Sequence, residues 1–196
     1  MKLPPGHRLH EEFLSPEECA TFARRLEEEI PWESHFFHIF GRQIPMPRRI
    51  AFFGPYAYAY SGTRHAPAEF PPVVDALRAR IEAETGQSFN TVLLNRYADG
   101  GDSMGWHSDD DYEHGGRGAI ASLNLGQARF FSVRRKDRSE SWKFLLPEGS
   151  LLQMTGNSQR ETEHALPKTK RPMDVRYNLT FRFMASTNDK KKRGSC

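Results

Sequence analysis

Two kinds of apolar periodicity divide the chain. Near the N-terminus Cys19, Phe22, Ala23, Leu26 and Ile30 recur at helical spacing and form one stripe. Ser15 stands ahead of this run as an N-cap, Pro16 suits the first helical position, and Glu18 completes a capping box. Pro31 stops the segment, so a helix is predicted from about Ser15 to Ile30. A second helix is predicted from about Pro71 to Thr85, with Val74, Leu77 and Ile81 turned inward and Gly86 ending it. The remaining apolar runs are short, aromatic and β-branched, and Gly, Pro, Asp and Asn clusters separate them. They predict strands at 35–40, 49–53, 56–60, 89–97, 119–125, 129–134, 141–146, 150–155 and 175–183. Two early helices followed by many short strands describe an α+β domain. Its β part is a sandwich or jelly roll with the helices packed on one face.

The last strand has the clearest alternation. Val175, Tyr177, Leu179, Phe181 and Phe183 occupy one face, and Arg176, Asn178, Thr180 and Arg182 the other. An apolar face is ordinary for a half-buried strand. The polar face has two readings: a solvated exterior, or the lining of a pocket that holds an anion.

Composition narrows the class. The chain has 196 residues, 37% hydrophobic and 27% charged, which suits one globular domain with a sizeable core. No apolar run approaches the roughly 20 residues of a membrane span, and Met1 to Glu12 lacks the apolar core of a secretory signal. Cys19 and Cys196 cannot build a disulfide framework or a Cys-rich zinc site, so a reducing, intracellular setting is expected. The net charge is +3, but Lys190, Lys191, Lys192 and Arg193 supply four positive charges, leaving −1 on residues 1–189. Global charge therefore says little about nucleic acid, and local clusters must be read instead.

The candidate chemistry centres on His107 and Asp109. In an extended segment residues two apart point to the same side, so imidazole and carboxylate can converge on one ion while Ser108 points away. A third ligand from elsewhere completes one face of an octahedron. Two His and one carboxylate leave three positions open, as non-haem Fe(II) oxygen chemistry requires. Upstream, Asn95-Arg96-Tyr97 ends a strand, and a tight loop is expected from Ala98 to Trp106. Downstream lie His164 and Arg176. His7, His10, His35, His38, His65 and His114 lack such context and read as surface or structural residues.

The ordered set Asn95, Tyr97, His107, Asp109, His164, Arg176, Asn178, Thr180 and Arg182 resembles the AlkB family of iron- and 2-oxoglutarate-dependent dioxygenases. The likeness runs from about Phe40 to Phe183 and is strongest to the members that repair duplex DNA. It implies a double-stranded β-helix (a jelly roll) with N-terminal helices on one face. It also implies that the polar face of the last strand lines the interior. By resemblance His107, Asp109 and His164 hold Fe(II), and Arg176 holds the distal carboxylate of 2-oxoglutarate with help from Asn95 and Tyr97. Arg182 lies nearer the iron-side carboxylate, with Asn178 and Thr180 supporting the same face. An arginine fork suits a carboxylate better than a lysine point charge. The implied reaction uses O2 and releases succinate, CO2 and formaldehyde as a methyl group leaves a base such as N1-methyladenine or N3-methylcytosine.

The resemblance extends to nucleic-acid contacts. A nucleotide-recognition lid is implied at about 36–64. Within it Tyr60 stacks on a flipped base opposite His107, with Tyr58 and Ser61 beside it. On the residues alone, the alternating tyrosines equally describe a packed strand face. Phe40, followed by Gly41, is the candidate finger that fills the gap in a duplex, or else an ordinary core phenylalanine. Asp111 suits an exocyclic amine, or a solvated acidic turn. Arg42, Arg48, Arg49 and Arg64 are candidate phosphate contacts. Further basic clusters are Arg134, Arg135, Lys136 and Arg138, and Lys168, Lys170 and Arg171.

The expected organisation is one domain over residues 1–186 and a basic tail over 187–196. The expected partner is alkylated DNA, as duplex or single strand, with RNA as a second candidate. No membrane and no obligate protein partner are expected. Localisation is expected to be cytoplasmic in a prokaryote and nuclear in a eukaryote. The rival readings are an RNA demethylase or protein hydroxylase of the same fold, a zinc hydrolase using the same three ligands, and a non-catalytic nucleic-acid-binding jelly roll.

Overall fold

A computed structural model describes residues 2–39, 41–60, 63–109, 118–155 and 157–185. The side chains at 38–39, 58–60 and 63–64 are outside that description. Helix α1 (Pro16–Glu29) begins with the expected reciprocal cap: Glu18 N–H donates to Ser15 Oγ at 3.2 Å, and Ser15 N–H to Glu18 Oε2 at 2.9 Å. Helix α2 (Pro72–Thr85) ends at Gly86, whose φ of +65° lies in the left-handed region that glycine reaches without a Cβ clash.

Seven strands form the larger sheet, in the order β1 (His7–His10), β11 (Leu151–Met154), β8 (Ile120–Gly126), β13 (Arg176–Arg182), β6 (Thr91–Tyr97), β3 (Arg42–Phe53) and β2 (Glu33–Ile39). Four form a second sheet, in the order β10 (Ser141–Leu146), β9 (Arg129–Arg135), β12 (Thr162–Leu166) and β7 (Met104–His107). A separate two-stranded ribbon pairs β4 (Tyr58–Tyr60) with β5 (Thr63–His65). A single helical turn, α3 (Ser158–Glu161), leads into β12.

The period of two along the central strands places the site. Val92 and Leu94 of β6, Ala121, Leu123 and Leu125 of β8, and Tyr177, Leu179 and Phe181 of β13 share one core. That core also takes Cys19 and Leu26 of α1 and Val73, Val74, Leu77 and Ile81 of α2. The alternate residues, Asn95 and Tyr97, Ser122, and Arg176, Asn178, Thr180 and Arg182, line a cavity together with residues of β7, β9 and β12. The helices thus cover one face of the larger sheet, and the second sheet closes over the other, giving the expected jelly roll.

Several elements differ from expectation. β3 begins at Arg42 rather than near 49, despite Pro45 and Pro47. That stretch pairs only with β2, with Phe36 opposite Pro45, so the missing proline N–H groups interrupt no central ladder. The loop expected over Ala98–Trp106 contains β7, held against β12 with His107 opposite His164 and Met104 opposite Leu166. β1, β5 and β12 are too short or too polar to register in the hydrophobic pattern. No helix among the described residues is long and apolar enough to cross a membrane.

Gly149 joins the turn after β10 to both α1 and the site. Its N–H donates to Asn124 O at 2.9 Å, and its carbonyl accepts from Leu14 N–H at 3.1 Å. Its φ is +72°, and an added Cβ would stand 2.7 Å from Leu14 O and 2.8 Å from Cys19 Sγ. Gly149→Ala therefore lowers stability by at least the roughly 1–2 kcal/mol of a left-handed non-glycine residue. Urea unfolding measures this; a midpoint equal to wild type would show that the turn relaxes.

Candidate active site

β7 delivers His107 at its end, and Asp109 lies two residues beyond the strand. Ser108 points the other way, and its hydroxyl donates to Thr162 O at 2.8 Å. Cross-strand pairing with β12 sets His164 beside His107, and their rings are 4.2 Å apart. His107 Nε2 is 3.8 Å from Asp109 Oδ1, and His164 Nε2 is 3.7 Å from Asp109 Oδ2. Two donors bound to one ion at about 2.1 Å each can be at most about 4.2 Å apart, so both pairs are in range of a shared first-row dication. His107 Nδ1–H donates to Gly105 O at 2.8 Å, which leaves the Nε2 lone pair for metal. The donor set therefore fits a metal ion with open positions.

Electrostatics favour the ligand forms. Burial, and after it His107, pushes the His164 pKa down to about 3, so this imidazole is neutral at physiological pH. Burial opposes ionisation of Asp109, but Arg182, His164 and His107 outweigh it and hold the carboxyl below its usual range. Arg182 Nη2 donates to Asp109 Oδ1 at 2.6 Å. Asp109 N–H donates to the Gln159 side-chain carbonyl at 2.9 Å, so carboxylate and backbone are both fixed.

Across the cavity Arg176 is 2% exposed. Its Nη2 donates to Asn124 Oδ1, it lies over the Tyr97 ring, and its Nε has no hydrogen-bond partner. Burial lowers its pKa to about 10, which leaves it cationic at neutral pH. A buried guanidinium with an unpartnered N–H is costly alone and is matched by a carboxylate. This is the fit that a dicarboxylic keto acid requires. Asn178 stands opposite Asn95 on one side and Asn124 on the other, and its amide donates to Ser122 Oγ at 2.8 Å. Thr180 donates to Asn178 Oδ1 at 3.1 Å. Nothing in the sequence marks Asn124 or Gln159 as part of the site. Asn124 is recognisable only from its register beside β13, and Gln159 only from the turn that brings it to Asp109.

The outer residues are distributed differently. Arg48 is corrected: it is buried, with Nε donating to Asn95 Oδ1 at 2.8 Å and Nη1 to Ser103 O at 3.3 Å, so it braces the cavity wall rather than meeting phosphate. Arg42 and Arg49 are exposed on β3. The backbones of Tyr58, Tyr60 and Arg64 lie on the β4–β5 ribbon, and their side chains are outside the described set. Gly41 follows β2 with φ of +73°, in a tight reversal into β3. Phe40, Ser61, Asp111 and the tail lie outside the described residues. In the β9–β10 hairpin Arg134 pairs with Glu163 and stacks over Trp106, and Arg135 pairs with Glu140 and Glu161. Much of that basic cluster is neutralised within the fold.

Residues 6–182 match the model of the 2OG-Fe(II) oxygenase superfamily. The alpha-ketoglutarate-dependent dioxygenase alkB homolog 3 of Rattus norvegicus is 35% identical over 184 residues, covering 89% of this chain and 62% of that protein. The chain thus spans under two thirds of that relative's length. The DNA oxidative demethylase ALKBH2 of Mus musculus is 34% identical over 208 residues, covering 95% of this chain and 87% of that protein. The solved structure of OsALKBH1 superposes with a TM-score of 0.67 at 18% identity, covering 93% of this chain and all of that one, which bears on the fold. The match places the chain in the 2OG-Fe(II) oxygenase superfamily, and the donor set fits that membership. Within that superfamily the chain belongs to the AlkB family.

Proposed function

We propose that this chain is an Fe(II)- and 2-oxoglutarate-dependent oxidative demethylase of N-alkylated bases in DNA, with N1-methyladenine and N3-methylcytosine as its type of substrate. The observation that carries the reading is the shared cavity: His107, Asp109 and His164 converge at one point, and the buried Arg176 lines the same space. Relatives named as DNA oxidative demethylases support the choice of polymer. A zinc hydrolase could use the same three ligands but has no use for a buried guanidinium in the cavity.

Fe(II) held by His107, Asp109 and His164, together with 2-oxoglutarate and O2, would supply oxidative decarboxylation to succinate and CO2, one oxygen atom of O2 entering succinate and the other hydroxylating an N-methyl group that then leaves as formaldehyde. The protein's part is positional. Arg182 and Gln159 hold Asp109, the Gly105 carbonyl sets the His107 tautomer, and Arg176 with Asn95 and Tyr97 receives the distal carboxylate. In this reading Tyr58, Tyr60, Ser61, Asp111 and His107 surround the extruded base, and Arg42, Arg49 and Arg64 meet phosphate. The setting is the cytoplasm of a prokaryote or the nucleus of a eukaryote.

Mass-spectrometric detection of methyl removal, run beside succinate release, tests the proposal on methylated duplex DNA, single-stranded DNA, RNA and peptide. DNA turnover above the other substrates is expected. Exclusive action on RNA or peptide would replace the substrate while leaving the chemistry, and metal-dependent hydrolysis without succinate would replace both. Phe40, with Gly41, is the proposed duplex finger. Phe40→Ala therefore lowers activity on duplex more than on single strands, because the wedge offsets the few kcal/mol of unstacking. Equal loss on both substrates would remove that role.

A further inference from the structure

A second set of metal-type donors lies outside the active site. Among the described residues only two groups of three such side chains bring their donor atoms within 4.8 Å of one another. One is the triad above. The other is Glu33, His35 and His65. Glu33 and His35 stand two apart on β2, and their side chains meet there although the pairing with β3 shifts register between Ser34 and Phe36. His65 ends β5, the second strand of the ribbon.

Glu33 Oε2 is 3.0 Å from His35 Nε2 and 4.0 Å from His65 Nδ1. Both distances fall within the roughly 4.2 Å that two donors on one ion can span. The imidazoles meet edge to face at 5.3 Å, and both are buried, whereas the Glu33 side chain is 56% exposed. His65 Nε2 is buried with no hydrogen-bond partner, and the 4.0 Å at Nδ1 is too long for a hydrogen bond. The gap between Nδ1 and the Glu33 carboxylate is one that a bridging ion would fill, while the buried Nε2 is a separate orphan on the other side of the ring. Two imidazoles and a carboxylate at a solvent-open rim select a borderline dication, with water as the fourth ligand.

We propose that Glu33, His35 and His65 form a second, non-catalytic metal site for a dication of the zinc class, tying the β4–β5 ribbon to β2. The ribbon pairs as a strand with neither large sheet, and among the described residues the chain around it meets the fold at the bridge between Gly54 and Ala68. An ion shared between β2 and β5 would add a link that strand pairing does not supply. Because the ribbon carries Tyr58 and Tyr60, the ion sets where those residues stand. That consequence rests on the substrate reading above; the metal binding does not.

The test uses the full chain with His107→Ala and His164→Ala, so that the active-site triad cannot compete. Zn(II) alone is titrated against a chromophoric chelator. One saturable equivalent is expected, and adding His35→Gln with His65→Gln abolishes it. Glu33→Gln, at an exposed position that tolerates change, weakens it by at least the roughly 10–100-fold typical of losing even an outer-shell partner. Hydrogen exchange supplies a second readout: zinc slows exchange across 58–65 in the parent and not in the variant that adds His35→Gln and His65→Gln. Circular dichroism in chelator establishes that each variant folds; if the double histidine variant does not, Glu33→Gln decides. No saturable zinc in the parent, or undiminished zinc in Glu33→Gln, overturns the site. Demethylase assays do not enter this outcome, so its failure is separable from failure of the proposed activity.

Discussion

His107→Ala abolishes Fe(II)-dependent release of succinate from 2-oxoglutarate. The three donors would hold one ion between them, and removing one would leave two protein ligands at a site that offers three. His107 is the cleanest position for the test, since its side chain is 26% exposed and its loss leaves the Asp109–Arg182 pair intact. Asp109→Ala also abolishes turnover but does more damage. It strips the carboxylate from Arg182, whose side chain is 13% exposed. Breaking a buried pair of this kind costs about 3–5 kcal/mol. Thermal unfolding should therefore show a large loss for Asp109→Ala and a small one for His107→Ala, with both inactive. Wild-type succinate release from a folded His107→Ala protein would refute the ligand assignment.

Arg176→Ala weakens 2-oxoglutarate binding by roughly 30-fold to several thousand-fold, from the about 2–5 kcal/mol that truncating one partner of a desolvated charge pair costs. The fold tolerates the loss better than the ligand does. When Arg176 is gone, Asn124 Oδ1 still accepts from the Asn178 amide at 3.2 Å, and the Asn124 amide still donates to Ser150 O at 3.2 Å. Arg176→Lys does not restore affinity, because a single ammonium cannot present the two parallel N–H groups of a guanidinium. Calorimetric titration with the metal-loaded protein measures both variants. An unchanged dissociation constant in Arg176→Ala would move the anion site elsewhere in the cavity.

These two tests probe residues that differ in how legible they are. Arg176 stands out in the sequence because a strict alternation isolates it with Asn178, Thr180 and Arg182 on one face. The alternation alone leaves open whether that face meets water or a pocket. Two sheets closing over it decide the matter, and the family resemblance anticipates the outcome. In β8 Ser122 and Asn124 likewise alternate with Ala121, Leu123 and Leu125, but two small polar residues carry no charge signal, and Asn124 acquires meaning only when β8 pairs with β13 and places it beside Arg176 and Asn178. Arg48 reads as a surface cation near a basic stretch, yet it is buried against Asn95 because β3 pairs with β6 and sets Ile50, two residues on, opposite Asn95. His35 and His65 read as structural residues, being separated by a hairpin and a ribbon that the sequence does not bring together.

The sequence by itself determines the two helices with their capping chemistry, the strand-rich body, and the i, i+2 pairing of His107 with Asp109. All of these follow from dihedral preferences and periodicities that act over a few residues. Tertiary structure alone decides which strands become neighbours, and therefore that His164 meets His107, that Gln159 reaches the Asp109 backbone, and that Glu33, His35 and His65 converge. The physical reason is that these contacts join residues tens of positions apart. Their free energy is realised only after chain closure and burial, and no local propensity records it.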